Sequence, residues 1–280
     1  MTEPWQIRLY RRSIKKKETL EAVLRMLPPV TGRRCLEIGC ATGTSSWLLR
    51  QRGGEWVSSD FDPKQVRSAR ELLKDDVLLI EPGPLPFPDA SFDVVVGINF
   101  LEHLEDDHGF VREMVRVLRA GGSFLLTCPD GPSGRPGYRL KKLYRFTADT
   151  GGFGHARDGY SRSEIEALLR GAGLEVERLE SYSRLFTELV ENSLNLVYHK
   201  GATRAQEAAG GGDADGHFHG DTSPASGSDF QAVGWKFRAY AAAYPLLRGF
   251  SLLDRVIPFT EGYMWCARAR KPAATSHGRG

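Results

Sequence analysis

The sequence predicts an α/β protein built on a doubly wound, mostly parallel sheet. From Arg34 onward, short apolar runs alternate with stretches of helical spacing, the signature of βαβ units with right-handed crossovers. The first run ends in an acid and a turn of small residues, CLEIGCATG (35–43), at the place where an open α/β sheet holds a ligand. The chain has 280 residues, 41% hydrophobic and 26% charged. That suffices for a core without disulfides or a structural metal.

The elements follow in order. Leu9, Ile14, Leu20, Val23, Leu24 and Leu27 recur at helical spacing among Arg and Lys, so 7–27 reads as one amphipathic helix stopped by Pro28-Pro29. Strands are expected at 34–38, 56–60, 77–80, 92–98 and 122–128, with helices at 43–52, 63–74 and 107–118. A Gly- and Pro-rich loop at 129–160 leads to a helix at 161–171, which Ser161 and Glu164 open as a capping box. A strand at 174–182 follows. The stretch 201–229, with GGGDADGHFHGDTSPASGSD, holds almost no large apolar residue and is expected to be a disordered loop. Two apolar blocks, 185–198 and 233–259, flank it. GYMWCARAR (262–270) reads as the last strand, and 273–280 as a flexible tail. The expected units are the N-terminal helix (1–30), a ligand-binding core (31–183), a helical insertion (184–260) and the final strand of the core (261–272).

Composition excludes several classes. A net charge of +3 is too small to imply nucleic acid. Cys35, Cys40, Cys128 and Cys266 form no CxxC pair, so buried reduced thiols in a cytoplasmic protein are expected, with no metal. His217 and His219 lack carboxylate or thiol partners at ligand spacing. No run reaches the ~20 apolar residues of a membrane span.

In CLEIGCATG, Gly39, Ala41 and Gly43 permit close backbone approach and unusual dihedrals. The spacing is one residue short of the dinucleotide GxGxxG, and Glu37 would sit poorly beside a diphosphate. That disfavours a nicotinamide-dependent oxidoreductase. The turn resembles the glycine-rich first motif of the class I S-adenosylmethionine-dependent methyltransferases, E-x-G-x-G-x-G, with Ala41 in the middle glycine slot. The remaining motifs match in order. Asp60 ends the second strand in VSSDFDP, about 20 residues on, where an acid accepts from ribose hydroxyls. LIEPGPLPFPDASFD (79–93), SFDVVVGINFLEHL (91–104) and RVLRAGGSFLLTCP (116–129) are similar to the family's later segments. The resemblance is strong over 34–130, looser to 182, and weak at the final strand.

The resemblance implies a seven-stranded Rossmann-like sheet and S-adenosyl-L-methionine as cofactor. It implies Glu37 for the methionine ammonium, Asp60 for ribose with Asp62 as its rival (Asp62 before Pro63 also reads as a helix N-cap), Phe61 against adenine and Glu81 for the adenine amine. Pro82 stands where the family gives an adenine-binding N–H, which proline lacks. Asn99 follows the fourth strand and faces the crevice. His103 and His155 are the candidate bases, needed only for a hydroxyl or protonated amine acceptor. Tyr160, Tyr244 and Phe250 are expected on the acceptor side. The expected acceptor is a small molecule or lipid-like compound. The basic first helix also suits an anionic lipid surface, so peripheral membrane contact stands beside a plain solvated face. A nucleic-acid methyltransferase would need a (D/N/S)PP(Y/F/W) or Pro-Cys motif, and none occurs. The alternative of a catalytically inactive cofactor-binding protein stands against intact Glu37, Gly39, Gly43 and Asp60. The acceptor atom and oligomeric state are not encoded in any motif.

Overall fold

A computed structural model describes residues 3–81, 83–131, 157–194, 234–256 and 261–273. The N-terminal segment forms two helices, α1 (Trp5–Arg12) and α2 (Ile14–Met26), rather than the single helix expected. Ser13 adopts an extended conformation between them, and its hydroxyl accepts from Lys16 N at 3.2 Å. A serine cap of this kind is worth about 1 kcal/mol, and it competes with continuing the helix. The break turns α1 away, so that Gln6 donates to Ser68 on a distant helix. Meanwhile α2 buries Leu20, Ala22, Val23 and Met26 against the sheet.

The core alternates as expected: β1 (Arg34–Ile38), α3 (Thr44–Arg50), β2 (Glu55–Asp60), α4 (Pro63–Leu73), β3 (Val77–Leu79), β4 (Phe92–Ile98), a 3-10 turn (Leu101–His103), α5 (Asp107–Val117) and β5 (Leu118–Pro129). After the Gly-Pro loop come α6 (Arg162–Gly171) and β6 (Glu175–Tyr182), then α7 (185–194), α8 (Gly234–Ser251) and β7 (Met264–Arg270). Strand β5 starts earlier than the expected 122, with Gly121 at φ +78° inside it. Ser161 and Glu164 form the expected reciprocal capping box.

The seven strands pair in the order β3-β2-β1-β4-β5-β7-β6, all parallel except β7, which runs antiparallel between β5 and β6. Their near-continuous apolar character follows from burial on both faces. Leu36, Ile38, Val95, Phe124 and Leu126 pack under α5 and α6, while Cys35, Val94, Val96 and Leu125 pack under α2 and α3. The order reverses between β1 and β4, so the carboxyl ends of β1, β2 and β4 surround the switch-point crevice. The expected disordered loop 201–229 and most of the Gly-Pro loop lie outside the described residues. Among the described residues no helix is long and apolar enough to cross a membrane.

Candidate functional site

Glu37 is the penultimate residue of β1 and is fully buried. Parallel pairing sets it level with Ser58 of β2, whose hydroxyl donates to Glu37 Oε2 at 3.0 Å. The Ser46 hydroxyl, from the first turn of α3, donates to the same oxygen. Arg50 closes this layer by donating to Ser58 Oγ at 2.8 Å. Glu37 Oε1 is buried and has no hydrogen-bond partner among the described residues. Burial pushes the Glu37 carboxyl above its usual range, against the pull of the serine hydroxyls and the Arg50 charge. A buried carboxylate oxygen without a donor is costly, and a cationic group arriving there relieves that cost.

The turn after β1 runs through positive φ at Gly39 (+78°), Ala41 (+46°) and Gly43 (+85°). At two of the three, neighbours within the chain also crowd any side chain. A Cβ at Gly39 would lie 3.2 Å from Phe100 Cδ2 and 3.3 Å from the Ile98 carbonyl oxygen. One at Gly43 would lie 2.9 Å from Ala69 Cα, where α3 meets α4. Gly43 therefore serves helix packing, as well as any approach to a ligand.

Asp60, at the end of β2, is only 2% exposed. Its Oδ2 accepts from Ala41 N at 2.8 Å, and its Oδ1 from Asp62 N at 3.0 Å. The acid expected for ribose thus also fastens the glycine-rich turn to β2. Asp62 caps α4, accepting from Lys64 N at 2.7 Å ahead of Pro63, as a helix N-cap does. Phe61 stacks on Phe100 at 4.7 Å and 20°, and Phe100 meets Phe110 at 5.1 Å. Glu81 lies exposed just past β3. Pro82 lies outside the described residues.

Asn99, past β4, has φ +48°. Its N–H donates to Thr127 O and Oγ1, at 3.1 and 3.0 Å, and its Oδ1 accepts from the Thr127 hydroxyl at 2.8 Å. His103 closes the 3-10 turn, half-buried. His155 lies outside the described residues. Tyr160, expected to touch the acceptor, is 1% exposed. Its hydroxyl donates to Asp107 Oδ2 at 3.0 Å, and Arg157 both pairs with Asp107 and lies over the Tyr160 ring at 4.1 Å. That arrangement makes Tyr160 a fastening for the end of the Gly-Pro loop, with its hydroxyl already engaged.

Tyr244 and Phe250 sit on α8. Tyr244 Oη accepts from Lys17 Nζ at 3.0 Å, and Tyr240 donates to the Arg12 carbonyl. Phe250 meets Phe186 edge-on at 4.9 Å and stays 41% exposed. The second apolar block therefore packs on α1, α2 and α7 rather than directly on the sheet. All four cysteines are buried and reduced. Burial pushes the Cys35 and Cys266 thiols up to about 12 and raises Cys40 and Cys128 as well, so none is a thiolate nucleophile at neutral pH.

Residues 36–126 match a family model described as a methyltransferase domain. Over that segment the chain is similar to the class I S-adenosylmethionine-dependent methyltransferases. It is similar to the probable S-adenosylmethionine-dependent methyltransferase of Mycolicibacterium smegmatis, 36% identical over 154 residues, 55% of this chain and 56% of that one. It is also 31% identical to demethylmenaquinone methyltransferase of Tropheryma whipplei over 129 residues, 44% of this chain and 54% of the relative. The chain spans just over half the length of these curated relatives. A solved S-adenosylmethionine-dependent methyltransferase from Mesorhizobium loti shares the fold with a TM-score of 0.53 and 16% identity, covering 89% of this chain and 96% of that one.

The donor set fits the family's cofactor. Glu37 and Asp60 put two carboxylates at the carboxyl ends of β1 and β2, one with a buried oxygen to which no described residue donates. That suits a ligand with a cationic amino-acid end and a ribose diol, and repels a diphosphate. Ser46, Ser58, Arg50 and Thr127 were not singled out from the linear sequence. For Ser58 a signal existed: in β2 it stands level with Glu37 once the strands are paired in register.

Proposed function

We propose that this protein transfers a methyl group from S-adenosylmethionine to a small-molecule acceptor with a substantial apolar part. The buried Glu37 oxygen without a partner among the described residues, beside a positive-φ turn fastened by Asp60, carries the cofactor half of this reading. Glu37 would hold the methionine ammonium, directly or through water, and Asp60 the ribose hydroxyls. Phe61 and Glu81 would border the adenine, and Asn99 the crevice wall. Bound S-adenosylmethionine supplies an electrophilic methyl on a sulfonium. The chain's own work is then alignment and exclusion of water. His103, the last residue of the 3-10 turn, would take the acceptor's proton where the nucleophile is a hydroxyl. His155 is the second candidate.

Demethylmenaquinone methyltransferase is named for an acceptor with a quinone ring, and that supports an apolar acceptor here. Isothermal titration tests the cofactor half. Micromolar binding of S-adenosylmethionine, with none of NAD, is expected. Absence of binding at millimolar S-adenosylmethionine overturns it. Labelled-methyl transfer into a cell extract then reports the acceptor.

A further inference from the structure

A second concavity lies beyond the carboxyl end of β6. It encloses about 370 Å³ and is walled by Glu18, Glu21 and Arg25 of α2, Ser181–Arg184, and Arg248, Ser251, Leu252, Asp254 and Arg255. Its volume falls within the roughly 300–1,000 Å³ of small-molecule sites. Strand register puts it at the same end of the sheet as the glycine-rich turn: Tyr182 pairs with Met264, which pairs with Pro129 at the end of β5.

The lining holds four arginines and three carboxylates. Two of those carboxylates are already engaged by the protein. Asp254 accepts from Phe186 N and Thr187 N, each at 2.9 Å, capping α7. Glu18 Oε1 accepts from the Thr187 hydroxyl at 3.1 Å and lies 3.7 Å from Arg248. Arg184 donates to the Asp254 carbonyl at 3.3 Å. Arg25 and Arg255 are exposed and form no ion pair with a described residue. The charge left over at the mouth is positive, and a guanidinium matches the paired oxygens of a carboxylate or phosphate.

The cleft has one aliphatic lining residue among the described residues. Leu252 lines the cleft and is 36% exposed. Beside it Phe250, Leu253 and Val256 are exposed by 41%, 42% and 75%. A cationic mouth with exposed apolar side chains next to it in the chain suits one ligand chemistry. We infer that the cleft seats an amphiphile, its oxyanion between Arg25 and Arg255 and its hydrocarbon along Phe250, Leu253 and Val256. This rests on the proposed methyl transfer only in making that amphiphile the acceptor; the binding stands alone.

The test uses octyl phosphate, 1-octanol, inorganic phosphate and phosphatidylglycerol vesicles, titrated into the full chain. Octyl phosphate should bind at least tenfold tighter than octanol or inorganic phosphate. Arg25→Gln with Arg255→Gln should weaken it tenfold or more, and Leu253→Asp with Val256→Asp should do the same. Both pairs are on the surface, and both should leave S-adenosylmethionine affinity unchanged. Octyl phosphate binding within twofold of wild type in the arginine double variant overturns the inference. So does equal affinity for inorganic phosphate, which marks a bare anion site. So does binding to vesicles without binding to monomeric octyl phosphate, which marks a membrane surface. If octyl phosphate binds as expected but S-adenosylmethionine does not, the cleft stands and the proposed function falls.

Discussion

The backbone N–H of Ala41 donates to Asp60 Oδ2 at 2.8 Å, so the second strand's terminal acid holds the glycine-rich turn in its left-handed conformation. Asp60→Ala should therefore act twice, removing a ribose contact and releasing the turn. A fall in S-adenosylmethionine affinity at the upper end of, or beyond, the ~1.5–3 kcal/mol of one charged hydrogen bond is expected. Ala41→Gly relieves the non-glycine strain at φ +46° and should bind no more weakly than wild type. Calorimetry on both variants checks this. Unchanged affinity in folded Asp60→Ala would contradict the arrangement.

Glu37→Gln should lower cofactor affinity while keeping the fold. The amide is isosteric and can still accept from Ser46 and Ser58, but it carries no charge for an ammonium. A loss of about 1.5–3 kcal/mol in binding is expected. S-adenosylhomocysteine, which keeps the ammonium and lacks the sulfonium charge, should lose as much. If only S-adenosylmethionine loses affinity, Glu37 faces the sulfonium instead.

Gly43→Ala puts a Cβ 2.9 Å from Ala69 Cα at φ +85°. Left-handed strain alone costs about 1–2 kcal/mol, and here backbone must also move, so urea denaturation should show a loss of more than about 2 kcal/mol. Gly171→Ala meets nothing within 4 Å and has no positive φ, and should be neutral or slightly stabilising. Equal effects at the two positions would mean that α3 and α4 can separate freely.

These cases show what linear order makes readable. The βαβ alternation, the acid before the turn and the acid ending β2 lie within runs whose periodicity and spacing are local, so Glu37 and Asp60 could be singled out directly. Their supports come from pairing. Ser58 is identified only when β1 and β2 are in register, and Thr127 only through its bond to Asn99, 28 residues away. Tyr160 reads as an acceptor-side residue because Asp107, which takes its hydroxyl, is 53 positions back. Ser13 sits in an unbroken helical pattern, and Gln6 reaching Ser68 is visible only in three dimensions. The apolar block 233–259 does not show in linear order which of its side chains are covered, and Leu246 and Val256 are 80% and 75% exposed.

Glu18 makes stability depend on pH. Burial first, then the Asp254 and Glu188 charges, push its carboxyl from 4.5 up to about 7, against Thr187 and Arg248. An acid whose folded pKa is raised binds more protons folded than unfolded between those values. Its contribution is therefore lost as pH rises from about 4.5 through 7. Glu18→Gln should be about as stable as wild type near pH 5 and more stable at pH 8, by up to about 3 kcal/mol. Melting temperatures of both proteins across that window check it. A constant difference would mean that Glu18 titrates normally.

Phe250 separates a binding wall from a packing one. Its ring meets Phe186 edge-on at 4.9 Å, yet 41% of the residue is exposed. A fully buried phenylalanine cut to alanine costs about 3–5 kcal/mol. An aromatic pair adds only about 0.5–1.5 kcal/mol beyond its area, and a ring this exposed has little area to lose. Phe250→Ala should thus cost less than about 2 kcal/mol in urea denaturation and leave S-adenosylmethionine affinity unchanged. If the ring borders the acceptor, the KM for an apolar acceptor should rise several-fold. Tyr160→Phe provides the contrast. It strips the Asp107 carboxylate of a buried donor and should cost about 1–3 kcal/mol of stability with the acceptor KM unmoved. A Phe250→Ala variant that loses 3 kcal/mol or more, with KM unchanged, would return that ring to the core.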